Sequence, residues 1–123
     1  MPVTMFVVLG GVLAGLGVGL GAVGAHVLKT QLTPQQLETF HTAVHYQVIH
    51  AIGLILVGLL GLHHRGYLFD AAGWAMLLGI VLFSGCLHVW LATGSRFFVH
   101  LVPVGGVAFV VGWLALAFGA WRT

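Results

Sequence analysis

Six charged side chains, Lys29, Glu38, Arg65, Asp70, Arg96 and Arg122, punctuate a chain that is otherwise apolar or neutral. Between them lie four long stretches without formal charge, Met1–Leu28, Thr39–His64, Ala71–Ser95 and Phe97–Trp121, of 28, 26, 25 and 25 residues. A helix needs about 20 mostly apolar residues to cross a hydrocarbon layer of about 30 Å. Lipid admits only structures that satisfy their backbone polar groups internally, helices foremost. The pattern therefore predicts four transmembrane helices, at about residues 5–28, 43–62, 71–92 and 103–120. The expected fold is all-α, an integral membrane four-helix bundle in a single domain, 1–123, with a Gly-rich first helix and a short interfacial helix before the second span.

Local signals sharpen those elements. The first span holds Gly10, Gly11, Gly15, Gly17, Gly19, Gly21 and Gly24, with spacings of four at Gly11/Gly15, Gly15/Gly19 and Gly17/Gly21. Small residues let helix backbones approach closely in lipid, so a buried central helix is expected there. Thr33-Pro34-Gln35-Gln36 reads as a helix start: a capping threonine, a proline in the first turn and a glutamine that completes a capping box. A helix begun there can run to Leu62, about 43 Å at 1.5 Å per residue, with Leu32, Leu37 and Phe40 as the apolar face of its interfacial part. His63-His64-Arg65-Gly66 reads as a tight polar turn, and Gly94-Ser95-Arg96 as the end of the third helix. Pro103 marks a restart or a kink in the fourth, which leaves Phe97–Val102 as an interfacial or partly re-entrant stretch. Trp90, Trp113 and Trp121 suit the aromatic belts of the two interfaces.

Composition narrows the function classes. The chain is 60% hydrophobic and 5% charged, against about a quarter charged in soluble domains. Four spans leave no room for a separate soluble domain within 123 residues. The basic residues are scattered singly, so no surface for nucleic acid is expected. Cys86 is the single cysteine, which excludes an intrachain disulfide. Val23-Gly24-Ala25 satisfies the small-residue rule of a signal cleavage site, but the apolar part is longer than a signal core and no basic residue precedes Val7. The first span is expected to be retained. Lys29 and Arg96 mark one membrane face, Arg65 and Arg122 the other, a balanced positive-inside count.

The histidines carry the chemical signal. Threading through four spans sends His26, His41, His45, His50, His88 and His100 toward one membrane face, and His63 and His64 toward the other. Glu38, His41 and His45 recur at spacings of three and four, within about 60° on one helical surface. His50 lies about 10 Å deeper than Ala43, and a titratable residue at that depth should face protein or water. Imidazole is the commonest metal ligand, so His26, His50 and His88, with His41, His45 and Glu38, form a candidate metal or haem site. The competing reading is structural: histidines bonded to helix-end or neighbouring carbonyls, with Gln47 bonding across helices beside Tyr46 and His50. On that reading no cofactor is favoured, and Cys86 is a small core residue.

Several segments taken together resemble a known family. Gly21-Ala22-Val23-Gly24-Ala25-His26 is similar to its GAFGAH signature, and Tyr46-Gln47-Val48-Ile49-His50-Ala51 to its YQ-x-x-HA signature. Leu82-Phe83-Ser84-Gly85-Cys86-Leu87 resembles LFSGSL, and Pro103-Val104-Gly105-Gly106 its PxGG element. The family is domain of unknown function 423, similar to the eukaryotic transmembrane protein 256. The resemblance covers essentially the whole chain and implies a small, multi-pass protein of the bacterial inner membrane, with no activity attached. His26 and His50 match the family pattern, whereas His88 stands where Tyr is usual and Cys86 replaces Ser. His41 and His45 depart from it too. These departures leave His26, Tyr46, Gln47 and His50 as the candidate shared polar core.

The resulting expectation is a non-enzymatic membrane protein, structural or accessory, with a buried polar cluster of His26, Tyr46, Gln47 and His50. It would associate with itself or with a larger membrane complex. The alternatives are a metal- or haem-binding protein using the histidine layer, and a small transporter or proton-conducting element built around His50. No catalytic constellation is expected: Glu38 and Asp70 fall on opposite faces, and no serine or cysteine has an evident base partner.

Overall fold

The computed structural model describes residues 2–64 and 66–123; Arg65, in the expected polar turn, lies outside them. Four apolar stretches become four helical spans. Helix α1 covers Val3–His26 and α2 covers Pro34–His63. The third span joins α3, Tyr67–Gly79, to α4, Cys86–Thr93, through a π-helical segment at Ile80–Gly85. A 3₁₀ turn at Phe98–Leu101 leads into α5, Val102–Trp121. The four spans are 24, 30, 27 and 24 residues long, each apolar enough to cross a bilayer. This is an all-α membrane bundle.

Local chemistry sets the helix ends. At the start of α2, Thr33 Oγ1 accepts from the Gln36 N–H at 3.1 Å, and the Thr33 N–H donates to Gln36 Oε1 at 3.0 Å. Two donors that the first turn would otherwise leave orphaned are thereby satisfied. The 30 residues that follow span about 45 Å, so the interfacial part of α2 is its own first turns, continuous with the span. The third span stops at Gly94, whose φ of 74° lies in the left-handed region and whose N–H bonds Trp90 O at 2.7 Å. Pro103 sits in the first turn of α5, where a missing N–H breaks no helical bond. Phe97–Val102 is accordingly a lead-in to the last helix and not a re-entrant loop.

Helix α2 is the central element, and the Gly-rich α1 is peripheral. Only Phe6, Gly10, Gly17 and Gly24 of α1 are buried. The three glycines recur every seven residues, which returns them to one face. A Cβ at Gly10 would lie 2.6 Å from the Ala51 carbonyl oxygen, and one at Gly17 would lie 2.6 Å from Val48 Cγ2. At Gly24 it would strike the Phe40 ring. The spacing-of-four stripe points elsewhere: nothing lies within 4 Å of a Cβ at Gly11, Gly15 or Gly19. The expected central helix is thus corrected. The backbone of α1 lies flat against α2 along a sevenfold strip, with Gly21 beside it against Val44, while Gly11, Gly15 and Gly19 face outward.

On the other side of α2 stand α3 and α5. Phe6, Leu54, Val57, Ala72 and Met76 form the apolar core, with Phe6 seated on Gly73 and edge-on to Trp74 at 5.9 Å. Close approach recurs between α5 and the third span. Gly79 lies under Phe109, Gly112 under Met76, and Gly105 rests on the backbone at Leu82 and Phe83. The widened π turn therefore falls where α5 comes nearest to the third span. Without a hydrophobic drive between helices in lipid, such backbone-close packing is a main source of bundle stability.

Candidate functional site

The polar groups of α2 divide into two arrangements on neighbouring faces. Gln47, 5% exposed, is the first. Its Nε2 donates to the Leu13 carbonyl of α1 at 2.9 Å, and its Oε1 lies 3.1 Å from Nε2 of His88 in α4. An amide oxygen only accepts, so His88 Nε2 carries the hydrogen and the imidazole is held in that tautomer. One side chain thus ties three helices together. Gly17 packs beside the bridge, with Nε2 of Gln47 3.6 Å from where its Cβ would stand, an ordinary van der Waals distance. The Phe40 ring packs edge-on against His88 at 5.6 Å and closes the arrangement from the α2 side.

The second arrangement is aromatic and centred on His50, 4% exposed. Its Nδ1 donates to the Tyr46 carbonyl at 2.7 Å. The ring stacks on Phe109 of α5 with centroids 3.5 Å apart, and near-parallel to Tyr46 at 5.8 Å. Trp113 stands 5.7 Å away and Phe83, from the π-helical segment, 4.8 Å from Tyr46. Beside these rings a cleft of about 530 Å³ opens on the flank of the bundle.

The expected cluster is therefore redistributed. Gln47 and His50 are three residues apart on α2 and turn to different neighbours, α1 with α4 in one case and α5 in the other. His26 ends α1 on the surface and joins neither. His88 takes the place beside Gln47 that the sequence reading gave to His26. The candidate metal ligands are likewise spread over different surfaces. Glu38, His41 and His45 lie on the exposed surface of α2, while His50 and His88 are engaged by separate partners. Among the described residues no group of three or more His, Cys, Asp or Glu is placed to hold a metal ion.

Several participants carried no signal in the sequence. The Leu13 carbonyl is backbone, and Phe109, Trp113 and Phe83 are ordinary apolar residues until α5 brings them to His50. The π turn has no periodicity mark. It also encloses Ser84 Oγ, fully buried and without a hydrogen-bond partner among the described residues. Cys86 is buried and free, a small side chain at the start of α4.

The family model described as "Protein of unknown function (DUF423)" matches residues 20–106. The chain belongs to that family. It is 40% identical over 117 residues to the UPF0382 membrane protein YwdK of Bacillus subtilis, covering 94% of this chain and 95% of that one. To the UPF0382 membrane protein SSP2132 of Staphylococcus saprophyticus it is 36% identical over 118 residues, covering 96% and 98%. A UPF0382 membrane protein of Haemophilus influenzae is 35% identical over 107 residues, covering 86% and 85%. No solved structure matches. With four spans of membrane-crossing length and bacterial relatives named as membrane proteins, this DUF423 member is a multi-pass bacterial membrane protein. The matched region contains Gln47, His50, His88 and the π turn; Leu13, Phe109 and Trp113 lie outside it.

Proposed function

We propose that this DUF423 protein is a non-enzymatic structural or accessory component of the bacterial membrane, held in register by the Gln47 bridge. The observation that carries the reading is the double use of the Gln47 amide, donor to α1 and acceptor from α4. A buried amide is costly in hydrocarbon unless both its ends are bonded, so this one selects a single arrangement of three helices. Two further side chains support a non-catalytic role. Ser84 Oγ has no base beside it among the described residues, and Cys86 is buried.

A scaffold of this kind works by presenting a fixed outer surface to copies of itself or to a larger membrane complex. The test is thermal unfolding in mild detergent combined with cross-linking in the native membrane. Gln47→Leu should lower the melting temperature and scramble the cross-links between α1 and α4. Unchanged melting and unchanged cross-links would overturn the reading.

A further inference from the structure

The face of α2 that carries His50 opens on a cleft which the Gln47 bridge does not use. The cleft lies between α2, the π-helical segment and α5, and its volume of about 530 Å³ is within the usual range for small-molecule sites. Its walls are the rings of Tyr46, Phe83, Phe109 and Trp113, with Gly106 leaving one side bare. Nothing lies closer than 3.9 Å to a Cβ built at Gly106. Ile49, Val110 and Trp113 are exposed at the rim, so the opening faces sideways, toward acyl chains.

The lining also includes the exposed His45, and Tyr46 and Trp113 carry polar groups at its edge; His50 is the one buried polar side chain among the lining residues. A carbonyl can only accept, so the 2.7 Å contact with Tyr46 O fixes the hydrogen on Nδ1. Nε2 of the neutral ring is then a lone-pair acceptor, and it has no partner among the described residues. It is not sealed away either. Ser84 Oγ is the enclosed polar atom without a partner among the described residues, so Nε2 retains access to the cleft that His50 lines.

Depth restricts what can reach that atom. His50 lies seven residues past Ala43, about 10 Å beyond the start of the apolar part of α2. Phospholipid headgroups stay at the interface, and a charge at this depth is expensive. The complementary ligand is uncharged, bears an O–H donor, offers a flat ring to the aromatic walls and carries an apolar tail. Stacked and edge-on aromatic contacts favour a ring over an aliphatic alcohol. The π turn that brings Phe83 to the cleft belongs to a class of helix defects frequent at functional sites.

We propose that this cleft binds a lipid-soluble hydroquinone or related phenol, its ring between the aromatic walls and its hydroxyl donating to His50 Nε2. The site is independent of the Gln47 bridge and goes beyond a scaffold role. The oxidised quinone, with carbonyls in place of hydroxyls, cannot donate to that nitrogen and is discriminated against.

The experiment uses the full chain in phosphatidylcholine nanodiscs, with a decyl-substituted para-benzohydroquinone and its quinone as probes, against discs without protein. The expected result is saturable hydroquinone binding with an affinity about two- to tenfold higher than that of the quinone, the worth of one net hydrogen bond. His50→Phe keeps the stacked ring and should bind the two probes equally. Gly106→Phe, or Val110→Trp if the first variant is unstable, fills the cleft and should abolish binding of both. Gln47→Leu should leave binding unchanged wherever the bundle stays folded, which separates this site from the bridge. The proposal is overturned by absence of saturable binding, by equal affinity of the wild type for both probes, or by binding that survives a filled cleft. It is equally overturned if a second copy of the chain or a lipid acyl chain occupies the cleft and excludes the probes.

Discussion

Replacing Gly10 by alanine adds one methyl group to α1 at a point where it lies against the backbone of α2. That methyl would stand 2.6 Å from the Ala51 carbonyl oxygen, 2.7 Å from Ile55 Cγ1 and 3.1 Å from the Ile55 backbone nitrogen. Two of these three atoms are backbone and cannot swing aside, so the helices must part by the better part of an ångström. Overpacking of this kind costs about 1–3 kcal/mol. Separation also weakens the neighbouring contacts of Gly17 and Gly24, because dispersion falls off steeply with distance. For a chain of this size a loss near 2 kcal/mol corresponds to a fall in melting temperature of roughly 5–10 °C. The matched control is Gly11→Ala, one residue along, where nothing lies within 4 Å of the added carbon. There alanine should be neutral, or stabilising by up to about 0.8 kcal/mol through its higher helix propensity. Thermal unfolding of the two variants in the same detergent, followed by size-exclusion chromatography, measures the contrast. If Gly11→Ala is as damaging as Gly10→Ala, the sevenfold strip is not the packing face and the placement of α1 is wrong.

The remaining expectations are smaller. Gln47→Leu and His88→Phe should each cost about 1 kcal/mol, while the double variant should cost clearly less than their sum because neither partner is then left unpaired; a thermal double-mutant cycle reads the coupling. Thr33→Ala removes the hydroxyl half of the capping box, leaving the bond from the backbone N–H to Gln36 Oε1, and should destabilise by about 1 kcal/mol, with increased hydrogen exchange confined to the first turn of α2. Gly94→Ala forces a side chain into a φ of 74° and should cost about 1 kcal/mol without altering the bundle interior, as judged by unchanged tryptophan fluorescence. Protein purified without a histidine tag should carry less than about 0.1 equivalent of any transition metal or haem by elemental analysis and visible spectroscopy, since holding an ion requires several ligands in place at once.

How much of this was legible beforehand differs from element to element. The spans follow from the placement of six charges, because lipid tolerates so few of them. The start of α2 follows from Thr33, Pro34 and Gln36, whose capping chemistry is local and complete within four residues. Which face of each helix is buried did not follow. In a bilayer both the inner and the outer face are apolar, so periodicity loses the contrast that marks a core in water. With seven glycines in α1, spacings of four and of seven coexist, and only the side chains of α2 decide that Gly10, Gly17 and Gly24 are the ones used. The same ambiguity misassigned the partner of Gln47. His26 and His88 fall toward the same membrane face, but His26 is exposed at the end of α1 while α4 returns beside Gln47. The π turn at Ile80–Gly85 was invisible because no periodicity marks it, and its close contact with Gly105 of α5 joins segments far apart in the chain.

The most direct measurement is the separation between the side-chain nitrogen of Gln47 and the backbone carbonyl of Leu13, obtained by solid-state NMR dipolar recoupling on selectively labelled protein in lipid bilayers. Nε2 should lie within hydrogen-bonding reach of that carbonyl, at the 2.9 Å seen here between nitrogen and oxygen. Absence of dipolar contact between the two labels, with the chain folded and embedded, would mean that α1 does not dock on α2 as described and that the three-helix bridge does not exist.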